Sequence, residues 1–146
     1  MKFTLITDPS REEEIIATVH RESELTSEIE RLVMQYNGDG KIAVYDDDGM
    51  ALMELEDIEC ISVMDKKSMV VDKDGRHHRI KLRLYEVEKL LPSYFIRINK
   101  SAFANEKRIE RFAATFSGAV DAVFMSGYKD YVSRRCFAQI RRRYKK

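Results

Sequence analysis

Apolar positions recur along this chain mostly at period two, and that rhythm predicts a β-rich protein. MKFTLIT, residues 1–7, alternates apolar and polar side chains and runs into Asp8-Pro9-Ser10, which predicts a strand closed by a turn. EIIATVHR, residues 14–21, predicts a second strand. The period then changes. LTSEIERLVMQY places Leu25, Ile29, Leu32 and Val33 on one helical face and meets Gly38 and Gly40 just past its end, so it predicts an amphipathic helix. Asn37-Gly38-Asp39-Gly40 is a glycine-rich linker that divides a small αβ extension, residues 1–40, from a larger unit, residues 41–146.

In the larger unit, two short β runs flank Asp47-Asp48-Gly49, and the pattern repeats around Asp74-Gly75 with the strand IECISVMD between them. LYEVEKLL, residues 84–91, carries Leu84, Val87, Leu90 and Leu91 on one helical face and stops at Pro92. YFIRIN, RIERFAATF and AVFMSG predict later strands, and SRRCFAQIRRRY a final helix with Ser133 as its N-cap. The expected fold class is mainly β, α+β overall, with many short strands and a few short helices. One stretch breaks the rhythm. In FIRINKSAFAN, residues 95–105, a strand-forming run is interrupted by Arg97, Asn99, Lys100 and Ser101, which a buried strand would not select. Asn99, Lys100 and Ser101 fall where the β run ends, and from there they can project outward as hydrogen-bond donors on a sheet scaffold.

Charge sharpens the picture. Charged residues make up 35 % of the chain and the net charge is only +1. The sum hides a division: residues 1–64 hold five Lys or Arg against sixteen Asp or Glu, and residues 65–146 hold twenty-one against nine. A basic half of that size attracts polyanions, nucleic acid first among them. The bland alternative is a solvated surface whose two halves attract one another. Three features concentrate the basic charge: Lys66, Lys67 and Ser68 between two β runs; Asn99, Lys100 and Ser101; and Arg134 and Arg135 after Ser133. Arginines at a helix N-terminus oppose the macrodipole, so stability alone does not choose them. Phosphate or a guanine edge compensates.

Other chemistry is hard to find. His20, His77 and His78 show no metal-ligand spacing, and His77 and His78 read as solvent-facing beside a hairpin tip. Asp46-Asp47-Asp48 before Gly49 reads as a polar turn rather than a cation site. Cys60 and Cys136, each beside Ile or Phe, read as packed thiols rather than a disulfide. Nucleophile elbows, phosphate-cradling glycine loops and dinucleotide fingerprints are missing, so neither an enzyme nor a cofactor is expected. No apolar run approaches the roughly 18 residues of a membrane span, and the cytoplasm is the default location.

YFIRINKSAFANEKRIERF, followed by GYKDYVSRRCFAQI, resembles the LytTR family of bacterial DNA-binding domains. The shared pattern is a strand with an Arg, a Ser at Ser101, an Asn at Asn105, an Ile at Ile109, and a late Val132-Ser133-Arg134 before a helix. ELEDIECISV and LYEVEKLLP resemble earlier family elements, so the likeness spans about residues 41–146. The resemblance implies an elongated, multi-sheet β fold and sequence-specific binding of double-stranded DNA at direct-repeat promoter sites, hence transcription regulation. It implies DNA contacts through connecting segments rather than a helix lying in the groove, carried here by Lys66, Lys67, Ser68, Asn99, Lys100, Ser101, Arg134 and Arg135. Where the family often has His or Asn, this chain has Ser68 and Lys100, which points Lys100 toward phosphate. About forty residues precede the matching region, too few for a doubly wound receiver domain, so a stand-alone regulator is expected. Its extension is left with a second copy, a membrane-bound inhibitor or the chain's own basic half as partner. A protein-interaction module with an acidic partner, or an RNA binder, is the alternative.

Overall fold

The computed structural model describes residues 1–36 and 40–144. The helix expected before the linker forms as α1, Glu24–Tyr36; Asn37, Gly38 and Asp39 of the linker lie outside the described residues. β1 (Lys41–Asp46) and β2 (Gly49–Glu54) make the first expected hairpin. Its turn is local chemistry. The Asp48 N–H donates to the Asp46 carboxylate at 2.9 Å, and Gly49 adopts φ 122°, where a side chain would be strained.

β3 (Ile58–Met64) and β4 (Lys67–Asp72) form a second hairpin, and β5 (His77–Arg79) returns against β4. α2 (Leu84–Glu88) is shorter than the eight residues expected. The Leu90 N–H turns back to the Val87 carbonyl at 2.8 Å, a tighter i to i−3 bond that ends the helix ahead of Pro92. β6 (Phe95–Asn99), β7 (Ala102–Asn105), β8 (Ile109–Ala114), β9 (Val120–Phe124), β10 (Lys129–Val132) and α3 (Arg134–Tyr144) complete the order. β7 and β10 were not foreseen. The break in FIRINKSAFAN is the turn of a β6–β7 hairpin, so the polar residues end one strand and reverse the chain into the next.

The strands form two antiparallel sheets, one in the order β2-β1-β5-β4-β3-β7-β6 and one in the order β10-β9-β8. In the large sheet β3, β6, β7 and the second half of β4 are buried on both faces, while β2 is largely exposed. One face, with Ile58, Ile61, Val70, Phe95 and Phe103, packs with Val87 of α2 and Leu91. The other, with Cys60, Val71, Ile96, Ile98, Ala102 and Ala104, packs against Ala122, Phe124 and Val132 of the small sheet and Ile140 of α3. Neighbours such as Val70 and Val71 therefore serve opposite cores, which is why β4, β6 and β7 read as continuous apolar runs. Full burial of each Val, Ile or Phe among them contributes about 1.5–3 kcal/mol.

A β-bulge at Glu59 departs from this pattern. It turns a fully buried carboxylate toward the small sheet, where Arg108 lies at 3.2 Å and the Ser126 N–H and hydroxyl both donate to it. Asn105, also fully buried, donates to the Glu56 and Ile58 carbonyls and accepts from the Lys107 N–H. These bonds fix the corner between β7 and β8.

The two strands expected at residues 1–7 and 14–21 do not form. The turn between them does: the Ser10 N–H donates to the Asp8 carboxylate at 3.0 Å and the Arg11 N–H to the Asp8 carbonyl at 3.3 Å. Residues 1–23 enter no ladder and are exposed throughout. A strand needs a partner edge, and a lone two-stranded hairpin is marginal in water.

Candidate nucleic-acid interface

Three connections that lie far apart in sequence meet at one end of the large sheet, held together by backbone bonds. The Val63 N–H, beside the β3–β4 turn, donates to the Ser101 carbonyl of the β6–β7 turn at 3.0 Å. The Ser133 N–H, at the junction of β10 and α3, donates to the Ile98 carbonyl of β6 at 2.8 Å. Asn99 closes the third link by donating its side-chain amide to the Tyr131 carbonyl at 2.8 Å. The order across this end is β3–β4 turn, β6–β7 turn, start of α3.

The β3–β4 turn consists of Asp65 and Lys66, both at positive φ, 50° and 66°. Such a two-residue reversal matches the twist of the flanking strands. Lys66 and Lys67 are exposed, but Lys67 and the half-buried Ser68 are the first residues of β4 rather than loop residues. The Ser68 carbonyl accepts from the Ile80 N–H at 3.1 Å.

The β6–β7 turn separates the roles of its three polar residues. Asn99 is 1 % exposed, with one amide end on Tyr131 and the other accepting from the Ser101 N–H at 2.8 Å. The expectation that Asn99 projects outward is therefore corrected: a bulge between Arg97 and Asn99 turns it inward, and it braces the turn. Lys100 is exposed and Ser101 half-buried. Arg97, a residue sequence reasoning left without a role, clamps the same turn by donating to the Asn99 and Lys100 carbonyls at 3.2 and 2.6 Å, while its guanidinium lies over Phe103. Among the described residues the Ser101 hydroxyl has no hydrogen-bond partner. Ser101→Ala is accordingly expected to leave thermal stability within about 0.5 kcal/mol. A loss of DNA affinity in that variant, with an unchanged melting curve, reports a direct contact.

Ser133 caps α3 as expected, its hydroxyl accepting from the Cys136 N–H at 3.2 Å. Arg134 and Arg135 follow, both exposed, on the first turn. Lys66, Lys67, Lys100, Arg134 and Arg135 make no ion pair among the described residues, as is also true of Arg76, Arg79, Lys81, Arg111 and Lys129; what sets the five apart is that they share one end of the sheet, where Arg97 is paired with Glu88. Cations left unpaired at one end of a scaffold raise the potential there and favour an anionic ligand.

Beneath this face, burial, helped by nearby Asp121, pushes the Asp130 carboxyl above its ordinary value, although the Tyr131 N–H and the Cys60 and Asn99 side chains hold it back. Burial likewise pushes the Cys60 thiol well up, so that it packs as a small apolar group. The histidine expectation holds for His77, which is exposed, and fails for His78: its ring is 14 % exposed and bonds the Asp72 carboxylate at 2.7 Å. Burial raises the Asp72 carboxyl, but that bond and the Arg76 and Asp74 N–H groups outweigh it and leave it below its ordinary value.

A β scaffold that carries Lys and Arg on three abutting connections has the charge and the exposed edge to meet a polyanion. Residues 48–145 match the family model described as the LytTr DNA-binding domain, and the chain belongs to that family. It is 31 % identical over 99 residues to uncharacterized HTH-type transcriptional regulators of Staphylococcus aureus strains bovine RF122 / ET3-1 and NCTC 8325 / PS 47, covering 68 % of this chain and 67 % of each relative. A solved LytTr DNA-binding domain of a putative methyl-accepting/DNA response regulator from Bacillus cereus shares the fold. Its TM-score is 0.64 at 22 % identity, over 70 % of this chain and 94 % of that one. No helix–turn–helix occurs among the described residues, because α1, α2 and α3 are each separated by strands.

Proposed function

We propose that this DNA-binding protein of transcription regulation reads duplex DNA at repeated promoter elements through the end of the large sheet described above. The observation that carries the reading is the direct linkage of the three unpaired basic connections by the Val63–Ser101 and Ser133–Ile98 backbone bonds. One rigid edge then presents Lys66 and Lys67, Lys100 and Ser101, and Arg134 and Arg135 together. Lys66, Lys67 and Lys100 neutralise phosphate, and Arg135 reads a base edge. Ser68, half-buried at the start of β4, touches the DNA only at the margin of this edge.

Residues 41–146 are the DNA-reading unit and residues 1–40 an extension that takes a protein partner, a second copy or a membrane-bound inhibitor. The protein works in the cytoplasm, with its DNA; no helix among the described residues is long and apolar enough to cross a membrane. Selection from random duplex DNA tests the reading. Enrichment of two similar short elements about one helical turn, roughly 10 base pairs, apart is the expected result. Equal retention of all duplexes, or preference for single strands, would overturn it.

A further inference from the structure

The extension leaves a large apolar surface with nothing on it. Phe3, Leu5, Ile6, Ile15 and Ile16 are 68–87 % exposed, and Val19, Leu25, Leu32 and Tyr36 add to them. Together the nine expose on the order of several hundred Å² of apolar side chain per copy, spread over two extended runs and one helix. That is the scale of a standard-size interface, which buries roughly 800 Å² per partner.

The backbone points the same way. Residues 1–7 and 14–21 are two period-two runs joined by a formed turn at Asp8, yet neither is in a ladder, so both offer open edges. The chain's own sheets do not take them up. The β6 edge is bonded to Ser133, and β2, although an outer strand of the large sheet, pairs only with β1.

We infer that residues 1–36 are a self-association segment, in which residues 2–7 of one copy pair with residues 14–19 of a second copy and the α1 apolar faces close over the sheet so formed. Charge selects that pairing over the alternative of like with like. Residues 1–7 carry Lys2 and no acid, whereas Glu12, Glu13 and Glu14 lead into the second run. With both reciprocal pairs formed between the same two copies, the contact is isologous and closes as a dimer. Two DNA-reading units joined this way engage two repeated elements with a raised effective concentration.

Sedimentation equilibrium of the full chain without DNA tests the inference independently of DNA reading. The wild type is expected at twice the chain mass of 17.1 kDa. The double variant Leu5→Glu, Ile16→Glu is expected to raise the dimer dissociation constant at least a hundredfold. Both residues are exposed in the single chain, so the melting of the two-sheet core should not change. A monomeric wild type, which would leave this surface to a different protein, overturns the inference. So does a dimer that survives the double substitution.

Discussion

Glu59→Ala is expected to cost roughly 3–5 kcal/mol, the loss typical when one partner of a buried ion pair is removed. For a folded region of this size that lowers Tm by on the order of 10–20 °C. The carboxylate is fully buried and takes Arg108 and both donors of Ser126, so alanine leaves a guanidinium without its counter-charge and a backbone N–H without an acceptor. The bond joins β3 of the large sheet to the β9–β10 connection of the small one, and β10 runs directly into Ser133 and α3. Loosening it should therefore also weaken whatever Arg134 and Arg135 contribute to DNA binding, even below the melting temperature. Chemical denaturation of the wild type, Glu59→Ala, Arg108→Ala and the double variant measures the coupling. A Glu59→Ala loss under about 1 kcal/mol would show that this ion pair adds little to what holds the two sheets together.

Arg135→Ala and Lys100→Ala are expected to differ in kind. Arg135 is exposed on the first turn of α3 and carries the planar fork that binds a guanine edge bidentately. Its loss should cost roughly 1–3 kcal/mol on the selected site, up to about a hundredfold in affinity, and little on random duplex, flattening the preference at one base pair. Lys100 sits at the tip of the β6–β7 turn as a flexible point charge. Its loss should weaken all duplexes alike and reduce the salt slope by about one unit. Binding titrations at several salt concentrations on both duplexes read the difference. Equal losses on specific and random DNA for a folded Arg135→Ala would move base readout to its neighbour Arg134.

Where the signal was local, the sequence carried the structure. The Asp47-Asp48-Gly49 turn, the amphipathic run of α1 and the Ser133 cap each depend on side chains within a few residues, and each formed as read. Basic residues at three connections were likewise legible as charge, because an unpaired Lys or Arg needs no tertiary context to attract phosphate. Long-range pairing was not legible. FIRINKSAFAN looked like one interrupted strand, since nothing within it says that Ala102–Asn105 pairs with both β6 and β3. MKFTLIT and EIIATVHR have strand patterning, but a strand is completed by a partner edge, and neither run pairs with one.

Patterning and composition already specify a β-rich protein with a divided charge, its local turns and caps, and the segments that carry cations. Which polar residues remain open to a ligand depends on packing between distant segments. Asn99 and Lys100 are adjacent and equally polar, yet the bulge at Arg97–Asn99 sends one inward to Tyr131 and leaves the other in solvent. The same holds for Glu59, one acid among many until a bulge seals it against Arg108. A side chain's burial depends on which strands close over it, and that is a property of register between segments tens of residues apart.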